Sequence, residues 1–544
     1  MDWPTGLLLS YFIWSTFSVA WATNFSEAIF ESQKGILGFA AFYICRWFQL
    51  NDENFISRLL KSIVVVSGVV FLLVCWQMVQ VDAGLENVHY EIRGISGHKN
   101  LFSTVLFLLA GFLSIAYFKL EKNWRKAAVS FLIVILLLII YLKTRSVYLA
   151  LVVIAGVFLF RKLRQQLGTK LAATLSKGIV ALFLLGLLGF LYTWQTNQLI
   201  PLLQTSSIDQ LWQSDTGYER LMLWEKTASV IRQSPFFGVG AGNWQIEYPN
   251  YNVHGLYSVE LDSTTFQRPH NDWLWVWAET GIIGLLCYLG FFLAIVQAGL
   301  HNLKKEILPT NRLALITRLA FIAGFMIIAC FSFPKERIEI LLLFYTLMGL
   351  FYPIESKQNI KSLYWAKLVL VLIILSTALN LYIGKKRMNG EKAMKEVLVL
   401  KQQKNWPRLI EASDQAFSKW YTVDPTTIPI HWYRGTAHFI LGEQKAALQD
   451  FLKAEEYTPF NQHIQNDLGT CYETMGRKEK ARGYYKEAIR ISPLFDDPRL
   501  NLSISYYNNG EYQKALDWVN SIQNHELKMK YRTIILNKQN KAIK

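Results

Sequence analysis

The chain has 544 residues, of which 52% are hydrophobic and 14% aromatic, and it carries a formal net charge of +16. A soluble protein of this length would be more polar, and the apolar residues concentrate before Lys385 while charges increase after it, which argues for two domains of different solvent preference. The basic balance suits anionic lipid headgroups or an anionic substrate, whereas the membrane content and the lack of any nucleic-acid motif weigh against nucleic acid as a partner.

A membrane span needs roughly 20 predominantly apolar residues. On that scale about eleven segments are expected, near 5–23, 35–50, 62–80, 101–118, 127–142, 146–160, 178–196, 281–299, 313–333, 337–354 and 362–384. The first is followed by many more, so it reads as a retained span and not as a cleavable signal. Cys45, Cys75, Cys287, Cys330 and Cys471 have no metal-ligand spacing and read as small buried hydrophobes.

Lysine and arginine in the loops set the orientation. The basic stretches KLEKNWRK, RKLRQQLGTK and HNLKKEILPTNR fall on one side if the segments alternate, which makes that side cytoplasmic. The opposite side then receives the SGHKN loop, the KTRS loop around Arg145 and a large polar loop over 195–280. Alternation also places the C-terminal region on that outer side, although the basic run Lys385–Arg387 argues the other way.

After Lys385 the pattern becomes a repeat. Pro425, Pro459 and Pro493 keep a spacing of 34, as do Gly442, Gly476 and Gly510, and Ala447, Ala481 and Ala515; Gly435 and Gly469 match, with Ser503 in the third place. Such a period resembles the tetratricopeptide repeat, whose helical hairpins stack into a solenoid because none can bury its apolar face alone. The stretch from Glu391 to Pro425 reads as a divergent first unit. The expected organisation is all-α, a polytopic helical membrane domain over 1–384 followed by an α-solenoid over 385–544.

The outer loops hold the groups able to do chemistry. Arg145 reads either as an anchor snorkelling to the interface or as a ligand for an anion. Arg220 opens an amphipathic segment with Leu221, Trp224 and Val230, where it would pair with Glu219 or Glu225 or, with Arg145, grip a pyrophosphate through its permanent charge and planar fork. His270 lies in RPHNDWLWVWAETGIIGLL, flanked by Arg268 and Asn271, where an imidazole can accept a proton from a hydroxyl or orient a leaving phosphate. Glu279 is the rival base, although Thr280, Gly281 and Gly284 beside it suggest a helix junction. Trp244, Trp273 and Trp275 would line the interface or stack on sugar rings, interface anchoring being the plainer role for the last two. SPFFGVGAGNW has the glycines of a nucleotide loop but neither a preceding strand nor a following Lys-Ser/Thr, so a tight turn is expected. In SGHKN, His98 is a possible substrate contact and Asn100 the expected helix cap. No zinc spacing or outer aspartate pair occurs, so any chemistry is expected to be metal-independent and without a cofactor.

The order GHKN, KTRS, then a long loop with ER…W, SPFFGVGAGNW and PHNDWLWVWAETGIIGLL resembles the O-antigen ligase and polymerase superfamily, over about Gly94 to Tyr352. The resemblance implies a glycosyltransferase that takes a sugar chain from an undecaprenyl-pyrophosphate carrier at the outer face of the bacterial inner membrane. The acceptor would be lipid A-core, a glycan or a protein. By motif it implies Arg145 and Arg220 as pyrophosphate ligands and His270 as the catalytic residue that assists attack by the acceptor, with Arg268, Asn271 and His98 as possible substrate contacts. The chain begins at what resembles an internal family segment, so one or two N-terminal spans are expected to be absent. The repeat domain adds a surface for a protein partner.

A polymerase of the same superfamily is the nearest alternative. A transporter of lipid-linked sugar would place ionisable groups within the spans, yet Arg46 and Arg318 are the main charges there. A membrane-tethered scaffold would need one anchor and not about eleven.

Overall fold

The computed structural model describes residues 2–81, 88–167, 215–256, 259, 265–351 and 363–543. Among these the chain is helical, with isolated bridges at Ser418–Tyr421 and Val423–Pro429 in place of a sheet. The apolar part begins with α1 (Trp3–Phe17), α2 (Phe25–Asn51), α3 (Phe55–Gln80), α4 (Lys99–Lys119), α5 (Lys122–Leu142) and α6 (Arg145–Leu167). The large loop contributes α7 (Asp215–Gln233), and α8 (Asp272–Lys305), α9 (Pro309–Phe331), α10 (Ile338–Phe351) and α11 (Leu363–Gln402) follow.

This is a multi-pass helical membrane architecture. Six described helices are long and apolar enough to cross a bilayer, namely α3, α4, α5, α8, α9 and the 369–402 part of α11. That number is below the eleven expected. α1 has 15 residues and α10 has 14, short of a full span, and α2 buries Glu27, Glu31 and Lys34 near its start. The expected segment near 178–196 lies outside the described residues. α4 is the central helix, buried along most of its apolar length and packed against α3, α5, α9 and α10. Aromatic rings fill the space behind it, with Phe325 stacked on Phe344 at 4.1 Å.

The polar stretches tie these helices together at one end. α8 breaks at Gly281, whose φ of 66° is foreign to a helix. The carbonyls freed by the break are taken by the SPFFGVGAG turn: Val239 N–H donates to Ala278 O and Gly240 N–H to Glu279 O, both at 2.9 Å, and Ile282 N–H donates to Pro235 O at 2.9 Å. A Cβ on Gly281 would fall 2.0 Å from Phe236 O, and one on Gly238 would fall 2.3 Å from the Glu279 carbonyl carbon. The glycines therefore make a backbone-to-backbone joint, in agreement with the tight turn and helix junction expected there.

The C-terminal part is an α-solenoid. The distal half of α11 pairs with α12 (Trp406–Ala416), and the hairpins α13 (Ile430–Ile440)–α14 (Gln444–Tyr457), α15 (Gln462–Thr474)–α16 (Lys478–Ile491) and α17 (Asp496–Asn508)–α18 (Tyr512–Asn520) stack on it, closed by α19 (His525–Ile543). Gly435 and Gly469 let the rings of Phe451 and Tyr485 approach the first helix of each hairpin. Ser503 replaces them in the last unit and donates its hydroxyl to Ala515 O at 2.8 Å. One uninterrupted helix, α11, carries the chain from the apolar part into the repeats.

The solenoid is bonded to the large loop and to the start of α2. Val253 N–H donates to Ile491 O at 2.9 Å, Arg490 donates to Asn250 Oδ1 at 2.9 Å, and Asn24 Nδ2 donates to Thr422 Oγ1 at 3.0 Å. Arg387, from the basic run, lies 2.9 Å from Glu27 and donates to Trp420 O at 2.9 Å.

Candidate active site

The loop helix α7 buries Met222, Leu223 and Val230 against Trp244, Tyr248 and Trp275. On its flank Trp224 donates to Pro269 O at 2.8 Å, and Arg220 donates to Phe331 O at 3.4 Å. Asn271 caps α8, its Oδ1 accepting from Trp273 N–H at 3.0 Å and Leu274 N–H at 3.1 Å. His270 stands between the pinned Pro269 carbonyl and this cap, with a φ of 55°. A non-glycine residue in that region is uncommon and is held there by its surroundings. Its ring meets the Phe333 ring edge-on at 4.7 Å.

Phe333 also faces His98, at 6.3 Å. The cap expected at Asn100 falls on His98 instead: its extended backbone lets Nδ1 accept from Asn100 N–H at 3.2 Å, while Asn100 is already inside the helix. Arg145 is the first residue of α6, exposed beside Lys143, and Arg337 is exposed just after Phe333. Among the described residues no carboxylate pairs with Arg145, Arg220 or Arg337, and the pairing of Arg220 with Glu219 or Glu225 is not formed.

These cations act on one another. Desolvation and then the charge of Arg145 lower the pKa of Arg220. Desolvation of its ring, followed by Arg337, Lys99, Arg93 and Arg220, lowers that of His98. Desolvation, Arg220 and His98 pull His270 down to about 3. His270 is therefore a neutral imidazole at neutral pH, with an acceptor nitrogen in a field of positive charge. The structure thus brings together Arg145, Arg220, His98 and His270, four groups far apart in sequence.

Arg268 and Asn271 have structural work beside them. Arg268 forms an ion pair with Glu336 and donates to Gln245 Oε1 at 2.9 Å. Glu336 also receives Lys34 at 3.1 Å, Lys34 lies 2.5 Å from Glu31, and Lys335 pairs with Glu31 and approaches Glu279 at 3.5 Å. Desolvation opposes each charge, yet Arg268 and Lys34 hold the Glu336 carboxyl far below its ordinary range, and Glu336 keeps Arg268 firmly charged. Trp275 is packed inside this network, 3.6 Å below Lys335 Nζ, and Trp244 is fully buried and stacked on Tyr248. Neither Trp275 nor Trp244 reaches the interface or a sugar; the loop folded over them. Sequence reasoning passed over Phe333, Lys335, Glu336 and Arg337. The signal was the charged run PKER between two apolar segments on the loop-bearing side.

Residues 130–289 match the family model described as O-antigen ligase. That stretch of the chain is thus similar to the O-antigen ligase domain. The matched stretch holds Arg145, Arg220, Arg268, His270 and Asn271, while His98 and Arg337 lie outside it. Residues 463–493 match a tetratricopeptide repeat, so a ligase-like stretch and a C-terminal repeat region lie in one chain. It is 21% identical over 240 residues to an uncharacterized protein of Haemophilus influenzae, covering 42% of this chain and 56% of that relative. The chain thus spans little more than half the length of the curated relative it matches. A crystal structure of MamA is 21% identical, covering 27% of this chain and 81% of that one, with a TM-score of 0.23.

Proposed function

We propose that the chain is an integral-membrane glycosyltransferase that moves a glycan from an undecaprenyl-pyrophosphate carrier to an acceptor hydroxyl, at the outer face of the bacterial cytoplasmic membrane. The observation that carries this reading is a chain of cations with no carboxylate partner among the described residues: Arg220 acts on the neutral His270, Arg145 on Arg220, and Arg337 on His98. A diphosphate suits such a set of cations, because planar guanidinium forks match phosphate oxygens.

The acceptor hydroxyl attacks the anomeric carbon, the bond from that carbon to the pyrophosphate oxygen breaks, and the carrier departs as the pyrophosphate. The hydroxyl proton passes to His270. Arg145 and Arg220 neutralise the charge that grows on the leaving oxygens. Desolvation, and after it Arg220 and His98, suppress the basicity of His270; a bound diphosphate would offset the charge part of that effect and raise its pKa from there. The donor thereby prepares its own base.

The test is transfer by purified protein in detergent, from a synthetic undecaprenyl-pyrophosphate glycan to lipid, glycan and peptide acceptors, with EDTA present. Arg220→Ala is expected to lower kcat by roughly 100- to 1,000-fold and His270→Ala by roughly 100- to 10,000-fold, with Arg220→Lys recovering part of the loss. Equal rates in wild type and both alanine variants would remove these residues from the chemistry. Absence of transfer with every acceptor would refute the reading.

A further inference from the structure

Two arginines interrupt the apolar helices, and their surroundings differ. Arg46 of α2 is neutralised, 2.6 Å from Asp2 and donating to Thr5 Oγ1 at 2.7 Å. Arg318 of α9 has no such partner. Its Nε is buried without a hydrogen bond, and no carboxylate pairs with it among the described residues.

Arg318 lines a shallow crevice between α4 and α9, walled by Gly111, Ser114, Phe118, Phe321 and Phe351. The hydroxyls there are committed to their own helices: Ser114 donates to Ala110 O at 2.8 Å and Thr317 to Leu313 O at 2.9 Å. A guanidinium in hydrocarbon is costly unless an anion faces it. Nothing among the described residues supplies one, which leaves the place open to an anion from outside the chain.

Its depth narrows the choice. At about 1.5 Å per residue, Arg318 stands about 13 Å along α9 from Pro309, within reach of one surface of a ~30 Å hydrocarbon core. Side chains on a helix lean towards its N-terminus, so Arg318 extends back to the surface that carries the basic loops. This is the opposite end of α9 from Phe331 and the candidate active site. An anion delivered on an apolar chain suits the face of this crevice, because the chain would lie along Phe118, Phe321 and Phe351 while the charge meets Arg318.

We propose that the α4–α9 crevice binds a lipid-borne phosphate through Arg318, in the leaflet on the side of the basic loops. A phospholipid and an isoprenoid phosphate share this chemistry, so both enter the test.

The full chain, purified in detergent, would be titrated with dioleoyl-phosphatidylglycerol, undecaprenyl phosphate and dioleoylglycerol, and bound lipid read by native mass spectrometry. Wild type is expected to retain one or both phosphate lipids at least roughly tenfold more tightly than Arg318→Met, with Arg318→Lys in between and dioleoylglycerol held weakly by all three. The better-retained phosphate lipid names the source. The same phosphate lipid is expected to raise the melting temperature of wild type and not of Arg318→Met. Equal retention by wild type and Arg318→Met, or retention of dioleoylglycerol as strong as that of the phosphate lipids, would overturn the proposal.

Discussion

His270 is where local strain and electrostatics coincide. Its left-handed backbone is fixed by Trp224 on one side and Asn271 on the other, and its ring meets Phe333 edge-on under the charge of Arg220. Its depressed pKa also has a consequence for stability. The unfolded chain carries an ordinary imidazole that takes a proton near pH ~6.5, whereas the folded chain holds out to about 3. Between these values the unfolded state binds the extra proton, so the stabilising contribution is complete above pH ~6.5 and is lost as pH falls towards 3. His431 and His463, each pulled down to about 4, act in the same direction within the repeats. The melting temperature of wild type in detergent is expected to fall more steeply between pH 6.5 and pH 4 than that of His270→Gln, and parallel curves would show that this imidazole is not held neutral.

At the scale of elements, the short connector between α9 and α10 holds the site together. Glu336 ties Arg268 of the large loop to Lys34 of α2, and the neighbouring Lys335 N–H donates to Asp272 Oδ2 at 3.0 Å, at the start of α8. Removing one carboxylate from a buried network strands its cations, which costs about 3–5 kcal/mol, while the intact network adds little over apolar packing. Glu336→Gln is therefore expected to lower the thermal stability of the full chain clearly, with Glu336→Gln/Arg268→Met recovering part of the loss. A Glu336→Gln protein as stable as wild type would mean that water reaches these cations.

At the scale of the molecule, the solenoid is fixed over the large loop. Arg387 and Asn24 hold its first units against α2, and Ile491 and Arg490 hold its middle against residues 250–253. These contacts hold the repeats at the loop-bearing end of the helices. Gln245 links the two parts, accepting from Arg268 at 2.9 Å and from Thr427 Oγ1 at 3.4 Å. Arg387→Ala leaves Glu27 buried without its partner, and amide exchange is expected to quicken both in 418–430 and in 243–256. Faster exchange in 418–430 alone would show that the loop is ordered without the repeats.

The sequence by itself determined the helical character, the apolar half, the 34-residue repeat and the loop residues around Arg145, Arg220 and His270, because hydropathy and local periodicity act over short stretches. It also carried the SPFFGVGAG turn, since glycines at a break in polarity need no tertiary partner to be noticed. Tertiary structure alone decided which charges are spent and which are available. Arg268 and Arg220 look alike in sequence, yet Arg268 meets Glu336, 68 positions away, while Arg220 meets none among the described residues. It likewise decided that Trp244 and Trp275 are core, and that His98 joins His270 across Phe333. Charge compensation and burial depend on contacts between distant elements, and those contacts are settled only when the helices pack.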